Sequence, residues 1–561
     1  VKMNDSASPS EPGAPTGAPG QPGGSDGSHP AQNSASEKPR KAGAKGFALP
    51  RRRLEFDDVT VVEDSMLKRA IGGTVVGNLM EWYDVGVYGY LAVVIGKMFL
   101  PDASPTAQNL FSLGVFATTF IARPLGGIVL GQLGDRLGRQ KILAFTLLMM
   151  ATATFLIGVL PDATVIGWVA PIALIVLKLV QGFSTGGEYA GATTFITEYA
   201  PDKRRGFFAS LLDMGSYFGF AIGAAFVSVL QLTLSEDFIE GFGWRIPFLV
   251  ALPLGAIALW FRLKIEDSPT FQAAQDEQHE AEDAAAHDAE APKGLGSLLR
   301  TYWRELLVAF ILVAAANTLG YALTSYMPTY LTSTLGYDAV HGNLLTLPVL
   351  VVMSACIPLV GMLSDRIGRK KVLFIASISG MVLSIPAFLL MMHGAVWSTL
   401  MGLALLAVPV AFFVANLASS LPALFPTASR YGGMGISYNL AVALFAGTAP
   451  FYMEALVAIT GSPLAPGVWV VLTSAAGLIA TVFLRESAGR PLPGAMPSVM
   501  TDEEAHELVA GQDENPDLDS SDLFGDEAKV EGPLHPDDHA DEQRRRREEG
   551  GAAGDKPMAP A

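Results

Sequence analysis

Residues 131–141 read GQLGDRLGRQK, and residues 361–371 read GMLSDRIGRKK. The first copy holds Gly131, Asp135, Arg136, Gly138, Arg139 and Lys141; the second holds Gly361, Asp365, Arg366, Gly368, Arg369 and Lys371 in the same places. A weaker echo links PDKRR (201–205) to PTASR (426–430). The two pairs are separated by nearly the same distance along the chain. The sequence is therefore built from two halves in the same order, a parallel internal repeat.

What repeats is membrane-like. Half of the 561 residues are hydrophobic and only 16% are charged, where a soluble domain carries about 25% charged residues. Uninterrupted apolar stretches such as 142–160 and 468–484 approach the roughly 20 residues that cross a bilayer. Twelve such spans are expected, centred near residues 84, 120, 151, 181, 219, 254, 319, 351, 381, 410, 444 and 475. The fold class is an all-α membrane protein, two bundles of six transmembrane helices. Each long motif follows the second span of its half, and each short one follows the fourth.

The domain plan follows: a disordered N-terminal tail (1–66), a first bundle (67–263), a central linker (264–304), a second bundle (305–485) and an acidic, mostly disordered tail (486–561). Residues 1–66 hold 8 basic and 9 acidic groups, 264–300 hold 3 and 9, and 486–561 hold 7 and 20. These segments carry more than the whole net charge of −16, so the membrane part is weakly basic and the acidity says nothing about substrate. The polar, Pro-, Gly- and Ser-rich opening does not read as a cleavable signal sequence.

Lys and Arg gather after spans 2, 4, 6, 8 and 10, and Arg245 alone breaks the pattern on the other side. By the positive-inside rule both termini lie in the cytoplasm of a multi-pass cell-membrane protein. The single cysteine, Cys356, permits neither an intrachain disulfide nor a thiolate metal site. No metal, cofactor or nucleic-acid partner is expected, and oligomeric state stays open.

Charge at a tight turn explains the basic residues of the long motif but not its Asp, nor the glycine four positions earlier on the same helix face. A carboxylate that pairs with Arg and caps a neighbouring helix in one state only would lock a gate. Gly131, Asp135, Arg136, Gly138 and Arg139, with Gly361, Asp365, Arg366, Gly368 and Arg369, are the candidate gate residues on the cytoplasmic side.

These motifs form the signature that identifies the major facilitator superfamily. The segments GNLMEWYDVGVYGY (77–90), RPLGG (123–127), QGFSTGGEYAGA (181–192), SLLDMGSYFG (210–219), GWRIPF (243–248) and EDSP (266–269) resemble its metabolite:proton symporter branch. SYMPTYL (325–331), ALFPTASRY (423–431) and RESAGRPLPGAMP (485–497) are most similar to the proline/glycine betaine transporters. The resemblance covers roughly residues 67–497. It implies a proton-coupled importer of small zwitterionic compatible solutes (proline, glycine betaine, ectoine), working by alternating access and activated by osmotic stress.

Inside the first span, Glu81 and Asp84 stand at i and i+3 on one helix face. Acids at membrane depth are costly and face an interior cavity; Arg123 in span two is the candidate basic partner of the pair. Glu188 and Asp213 are further intramembrane acids, and Glu198 lies near the cytoplasmic end of span four. All eight histidines fall outside the spans or at their ends, so proton coupling falls to carboxylates. Tyr88 is four residues beyond Asp84, and an aromatic wall beside a carboxylate suits an ammonium. Arg123, Asn317 or Asn439 would take the carboxylate of a zwitterion. Paired glycines such as Gly182/Gly186 and Gly215/Gly219/Gly223 read as close helix contacts. Span-one acids suit a symporter of dicarboxylates or aromatic acids equally well, and that is the alternative. A membrane enzyme fits poorly: the spans hold no HExxH and no Ser/His pairing.

Overall fold

The computed structural model describes residues 53–512 except 63, 138, 187 and 267–294, together with 515 and 518. Over residues 134–144 it describes the backbone course alone. Twelve helical spans appear in order: α1 (Asp64–Phe99), α2 (Pro105–Leu137), α3 (Arg139–Val159), α4 in two pieces (Val169–Ser184 and Glu188–Tyr199), α5 (Arg205–Thr233) and α6 (Ile246–Glu266). Then come α7 (Trp303–Tyr321, prolonged to Thr334), α8 (Ala339–Ile367), α9 (Arg369–Met392), α10 (Val396–Ser420), α11 in two pieces (Thr427–Phe445 and Ala449–Thr460) and α12 (Ala465–Phe483). Every expected span centre falls inside one of these helices. Among the described residues, nine helical stretches are long and apolar enough to cross a bilayer, and shorter apolar stretches lie in α3 and at the start of α6.

The repeat in the sequence is a repeat in packing. In the first half α1 packs on α5, α2 on α4 and α3 on α6; in the second, α7 packs on α11, α8 on α10 and α9 on α12. The halves meet where α5 lies against α8 and α10, and where α2 lies against α11. The short echo is structural as well. Arg205 Nε donates to the Thr197 carbonyl at 2.9 Å, and Arg430 Nε donates to the Pro422 carbonyl at 3.3 Å. Each arginine ties the start of its helix to the end of the preceding one.

Close backbone approach is what the paired glycines provide. A Cβ on Gly219 would stand 2.4 Å from the Leu79 carbonyl oxygen, and one on Gly182 only 1.6 Å from that of Thr119. Without a strong hydrophobic drive between helices in lipid, such contacts carry association through dispersion. Three spans depart from regular helix. α4 breaks at Thr185–Gly186. α11 breaks at 446–448, where Phe120 of α2 fills the space a Cβ on Gly447 would need. α7 carries two π-helical segments, Ala322–Tyr326 and Tyr330–Thr334. Irregular backbone at membrane depth is tolerated where protein buries it, and π-turns gather at functional sites.

Composition assigned residues 53–66 and 498–512 to disordered tails, and the structure corrects this. Strand β1 (Thr60–Val61) pairs in parallel with β2 (Ser498–Val499). Helix α13 (Asp502–Ala510) closes over them around a small core of Leu54, Val59, Val499 and Ala505. The Gln512 side chain accepts from the Leu54 N–H and donates to the Leu54 carbonyl, at 2.8 and 3.1 Å. A few apolar residues within long polar segments are invisible to averages over those segments. The remaining tail residues, 1–52 and 519–561, lie outside the described residues.

The tightest glycine contact gives a direct test. Gly182→Ala must push α4 away from the Thr119 carbonyl, an overpacking that costs at least about 1–3 kcal/mol. We expect a lowered melting midpoint in detergent. An unchanged midpoint would mean that α2 and α4 do not meet as described.

Candidate functional site

Between the halves lies a chamber lined by Trp82 of α1, Tyr189 of α4, Asp213, Ser216, Tyr217 and Phe220 of α5, Asn317, Tyr321 and Thr324 of α7, Val414 and Leu417 of α10, and Tyr438 of α11. Its free volume is about 30 Å³, room for a water rather than a solute. The rings are tightly engaged. Tyr189 stacks on Tyr438 across the two halves at 4.4 Å, and Tyr321 meets Phe120 and Phe220 edge-on. The Tyr189 hydroxyl donates to Asp213 Oδ1 at 2.8 Å, while the buried Asp213 Oδ2 has no hydrogen-bond partner. That oxygen is an unsatisfied acceptor inside an aromatic box.

Of the eight residues expected to bind substrate or protons, Asp213 and Asn317 line this chamber. Arg123 stands behind its wall, its guanidinium 5.4 Å from the centre of the Trp82 ring and 5.2 Å from that of Phe120. Glu188 is half-buried at the start of the second piece of α4. Asn439 turns its amide to the Gly435 carbonyl at 2.8 Å on its own helix and faces Gly127 of α2.

The structure divides the span-one acids between two partners and moves Tyr88 away from the chamber. Arg123 pairs with Glu81, not with Asp84, and its Nε donates to Thr185 Oγ1 at 3.0 Å, at the break in α4. Asp84 is held instead by Gln181, whose amide also donates to Thr154 at 2.8 Å and accepts from Lys178 Nζ at 2.7 Å. The geometry follows from α4: Lys178 and Gln181, three apart, share the face that meets α1. Tyr88 does not wall the chamber. Its ring centre lies 4.1 Å from Lys178 Nζ, and its hydroxyl donates to the Ser112 carbonyl at 3.1 Å. The cation this ring meets is the protein's own.

Both mouths of the chamber are shut. On the face carrying the basic loops, the Asp365 carboxylate accepts the Gly206 and Phe207 N–H groups at 2.7 and 2.8 Å, capping α5, and Arg369 stands 3.7 Å from it. Gly361 permits this approach, since a Cβ there would lie 2.3 Å from Ser210 Oγ. Gly368 adopts φ +103 against Glu486, a backbone region closed to most side chains. Arg366 is exposed. In the first motif copy, Gly131, Asp135 and Arg136 fall at the end of α2 and Arg139 begins α3; Gly138 and the side chains of Asp135, Arg136 and Arg139 lie outside the described residues. Arg430 pairs with Glu198 across the halves, and a strap after α12 crosses the same face. Within that strap the Arg490 carbonyl accepts from Arg205 at 2.8 Å, the Pro493 carbonyl from Arg430 at 2.9 Å, and the Ser498 N–H donates to Asp202 at 3.1 Å.

The sequence reading missed the aromatic box, because Tyr189, Tyr217, Tyr321 and Tyr438 come from four helices with no local pattern. It also missed Glu454, although an acid inside APFYMEALV (449–457) is as conspicuous as those singled out.

A closed chamber between two pseudo-equivalent six-helix bundles, with charged groups at its wall, defines a secondary transporter. The description of the sugar (and other) transporter family matches residues 73–496, and the chain belongs to that family of the major facilitator superfamily. It is similar to the ectoine/proline transporter ProP of Corynebacterium glutamicum, 49% identical over 483 residues that cover 85% of this chain and 96% of the relative. It is 41% identical to the proline/betaine transporter of Escherichia coli K12, over 82% of this chain and 92% of that one. The glycine betaine/proline/ectoine/pipecolic acid transporter OusA of Dickeya dadantii is 39% identical, over 86% and 97%. Among solved structures, the proton:xylose symporter XylE bound to 6-bromo-6-deoxy-D-glucose superposes with a TM-score of 0.62 at 19% identity, covering 79% of this chain and 99% of that one. That likeness establishes the fold.

Removing one partner of a buried ion pair strands the other. Glu81→Ala is therefore expected to cost about 3–5 kcal/mol, with a clear drop in melting midpoint, and adding Arg123→Ala should restore much of the loss. Asp84→Ala strands the Gln181 amide and leaves the buried Lys178 without its acid, and should cost less because an ammonium can shed its proton where a guanidinium cannot. Equal losses in the Glu81 and Asp84 variants would contradict the pairing.

Proposed function

We propose that the protein is a proton-coupled importer of small zwitterions (proline, glycine betaine and ectoine), working by alternating access across the cell membrane with both termini in the cytoplasm. The observation that carries the reading is the aromatic chamber with one unpartnered carboxylate oxygen, Asp213 Oδ2. A secondary or quaternary ammonium is bound well by rings plus a carboxylate, and the opposite end of the solute needs a guanidinium, which Arg123 provides. The relatives named above point the same way. A dicarboxylate would have to bring its second carboxylate against Asp213, so an organic-anion symporter fits less well.

Coupling follows from the competition at Arg123. While Glu81 is ionised it occupies the guanidinium. A proton on Glu81 removes that charge and frees Arg123 for the solute carboxylate, so solute and proton load together. The rise in solute affinity on protonation is the differential that drives symport. Asp84, tied through Gln181 to Lys178, keeps α1 and α4 in register while this happens. On the cytoplasmic face, Asp365 at the head of α5 and the Arg430–Glu198 pair act as the lock that must part for release. Osmotic activation would act on this face through the strap and the acidic tail.

Proteoliposomes with an inward proton gradient should accumulate labelled proline, competed by betaine and ectoine but not by succinate, and a protonophore should abolish accumulation while exchange survives. Glu81→Gln, a permanent mimic of the protonated acid, should keep exchange and lose accumulation. Sodium-driven uptake with no response to pH, or full accumulation by the Glu81 variant, would refute this mechanism.

A further inference from the structure

We propose that Glu454 is a proton-binding site of the transport cycle, loaded from outside as the external mouth closes; this rests on the proton-coupled reading above. Glu454 lies in the outer piece of α11 and is 5% exposed. Its Oε1 accepts from Asn109 Nδ2 of α2 at 3.3 Å, and its Oε2 accepts from the Tyr326 hydroxyl of α7 at 3.3 Å. Asn109 belongs to the first bundle, Glu454 and Tyr326 to the second. The Glu454–Asn109 bond thus crosses the seam that must open outward.

No cation stands beside it among the described residues. The outer turns of α2, PTAQNLFSLGVFATTF, contain no titratable side chain. Neither does α12, APGVWVVLTSAAGLIATVF. The outer half of α7 offers Tyr326 and Tyr330 only, and Tyr452 is the other titratable group on Glu454's own piece. A carboxylate shut in with two neutral donors and no countercharge is strongly disfavoured when ionised, whereas the neutral acid loses little by burial. Opening the mouth admits water and removes that penalty. Ionised Glu454 therefore favours the open mouth and protonated Glu454 the closed one, so closure and proton uptake are the same event seen from two sides. The site differs in kind from the Glu81–Arg123 pair, where the acid has a permanent cation.

The test uses the full chain in liposomes, with Cys356→Ser and a reporter, Val414→Cys, in the chamber wall. Labelling by an impermeant thiol reagent from outside is compared between this parent and its Glu454→Gln variant from about pH 5.5 to about pH 8, so that the thiol's own ionisation cancels in the ratio. The parent-to-variant ratio is expected to be near one at the acid end and to rise several-fold towards the alkaline end. Glu454→Asp, which keeps a carboxyl, should follow the parent. A flat ratio, or an Asp variant with the flat response of the Gln variant, overturns the proposal. If a protonophore abolishes accumulation while the ratio is flat, only the assignment to Glu454 fails. If accumulation ignores the protonophore, the proton-coupled reading fails and takes this one with it.

Discussion

A guanidinium cannot be left alone in the interior of a membrane protein, and Arg123, 2% exposed, sits at the point where α1, α2 and α4 converge. Its demand for an acid fixes Glu81 on the facing side of α1. Its demand for a further acceptor fixes Thr185, and Thr185 is where α4 stops being a helix. The glycines around it follow from the same constraint. A Cβ on Gly186 would stand 2.1 Å from the Arg123 carbonyl, and one on Gly126 1.9 Å from that of Phe183. α2 and α4 must touch backbone to backbone for the short Thr185 hydroxyl to reach the guanidinium. Packing and electrostatics here are a single requirement met by small residues.

The internal repeat shows how one ancestral contact can be given two uses. Arg205 and Arg430 hold the same place in their halves and make the same bond to a carbonyl eight residues back. Three residues before each arginine the halves diverge, to Asp202 in the first and Thr427 in the second. Arg205 pairs locally with Asp202, and that acid also receives the strap through Ser498. Arg430 has a hydroxyl at the equivalent place, and its charge goes to Glu198 in the other half. One substitution in a symmetric frame thus separates a fastening within a bundle from a bond between bundles. Only the second kind must break when the bundles rock.

The fold was legible because its signals are long: the spans need about 20 apolar residues each, and the two copies of the GxxxDRxGRxK pattern count the halves. Gly361 and Asp365, four apart on one helix face, both meet α5, as spacing along a helix dictates. Which acid meets Arg123 was not legible. Glu81 and Asp84 share a face of α1, and the choice is made by Lys178 and Gln181 on α4, about a hundred residues away. Tyr88 misled for the same reason: a ring near an acid looks alike whether its cation is a solute or Lys178. The aromatic chamber was the least legible of all, because its rings come from both halves and share no spacing. The folded termini escaped because four or five apolar side chains do not shift the average of a tail.

The two mouths of the chamber are shut by different chemistry. On the basic face the closing groups include Arg369 and Arg430, whose guanidiniums stay charged at any physiological pH, and a helix N-terminus capped by Asp365. Each carboxylate here has a guanidinium beside it, Arg369 for Asp365 and Arg430 for Glu198. At the other mouth the hydrogen bonds across the bundles include, among the described residues, those of Asn109, Gln231 and Tyr90 with Glu454, Asn343 and Thr346. Of these six side chains Glu454 alone is a carboxylic acid. In the proposed proton-driven cycle, Glu454 is the acid at the outer mouth that an inward proton gradient would reach. On the opposite face every closing acid is paired with a guanidinium, so two nearly equivalent bundles differ most in how their mouths hold a carboxylate.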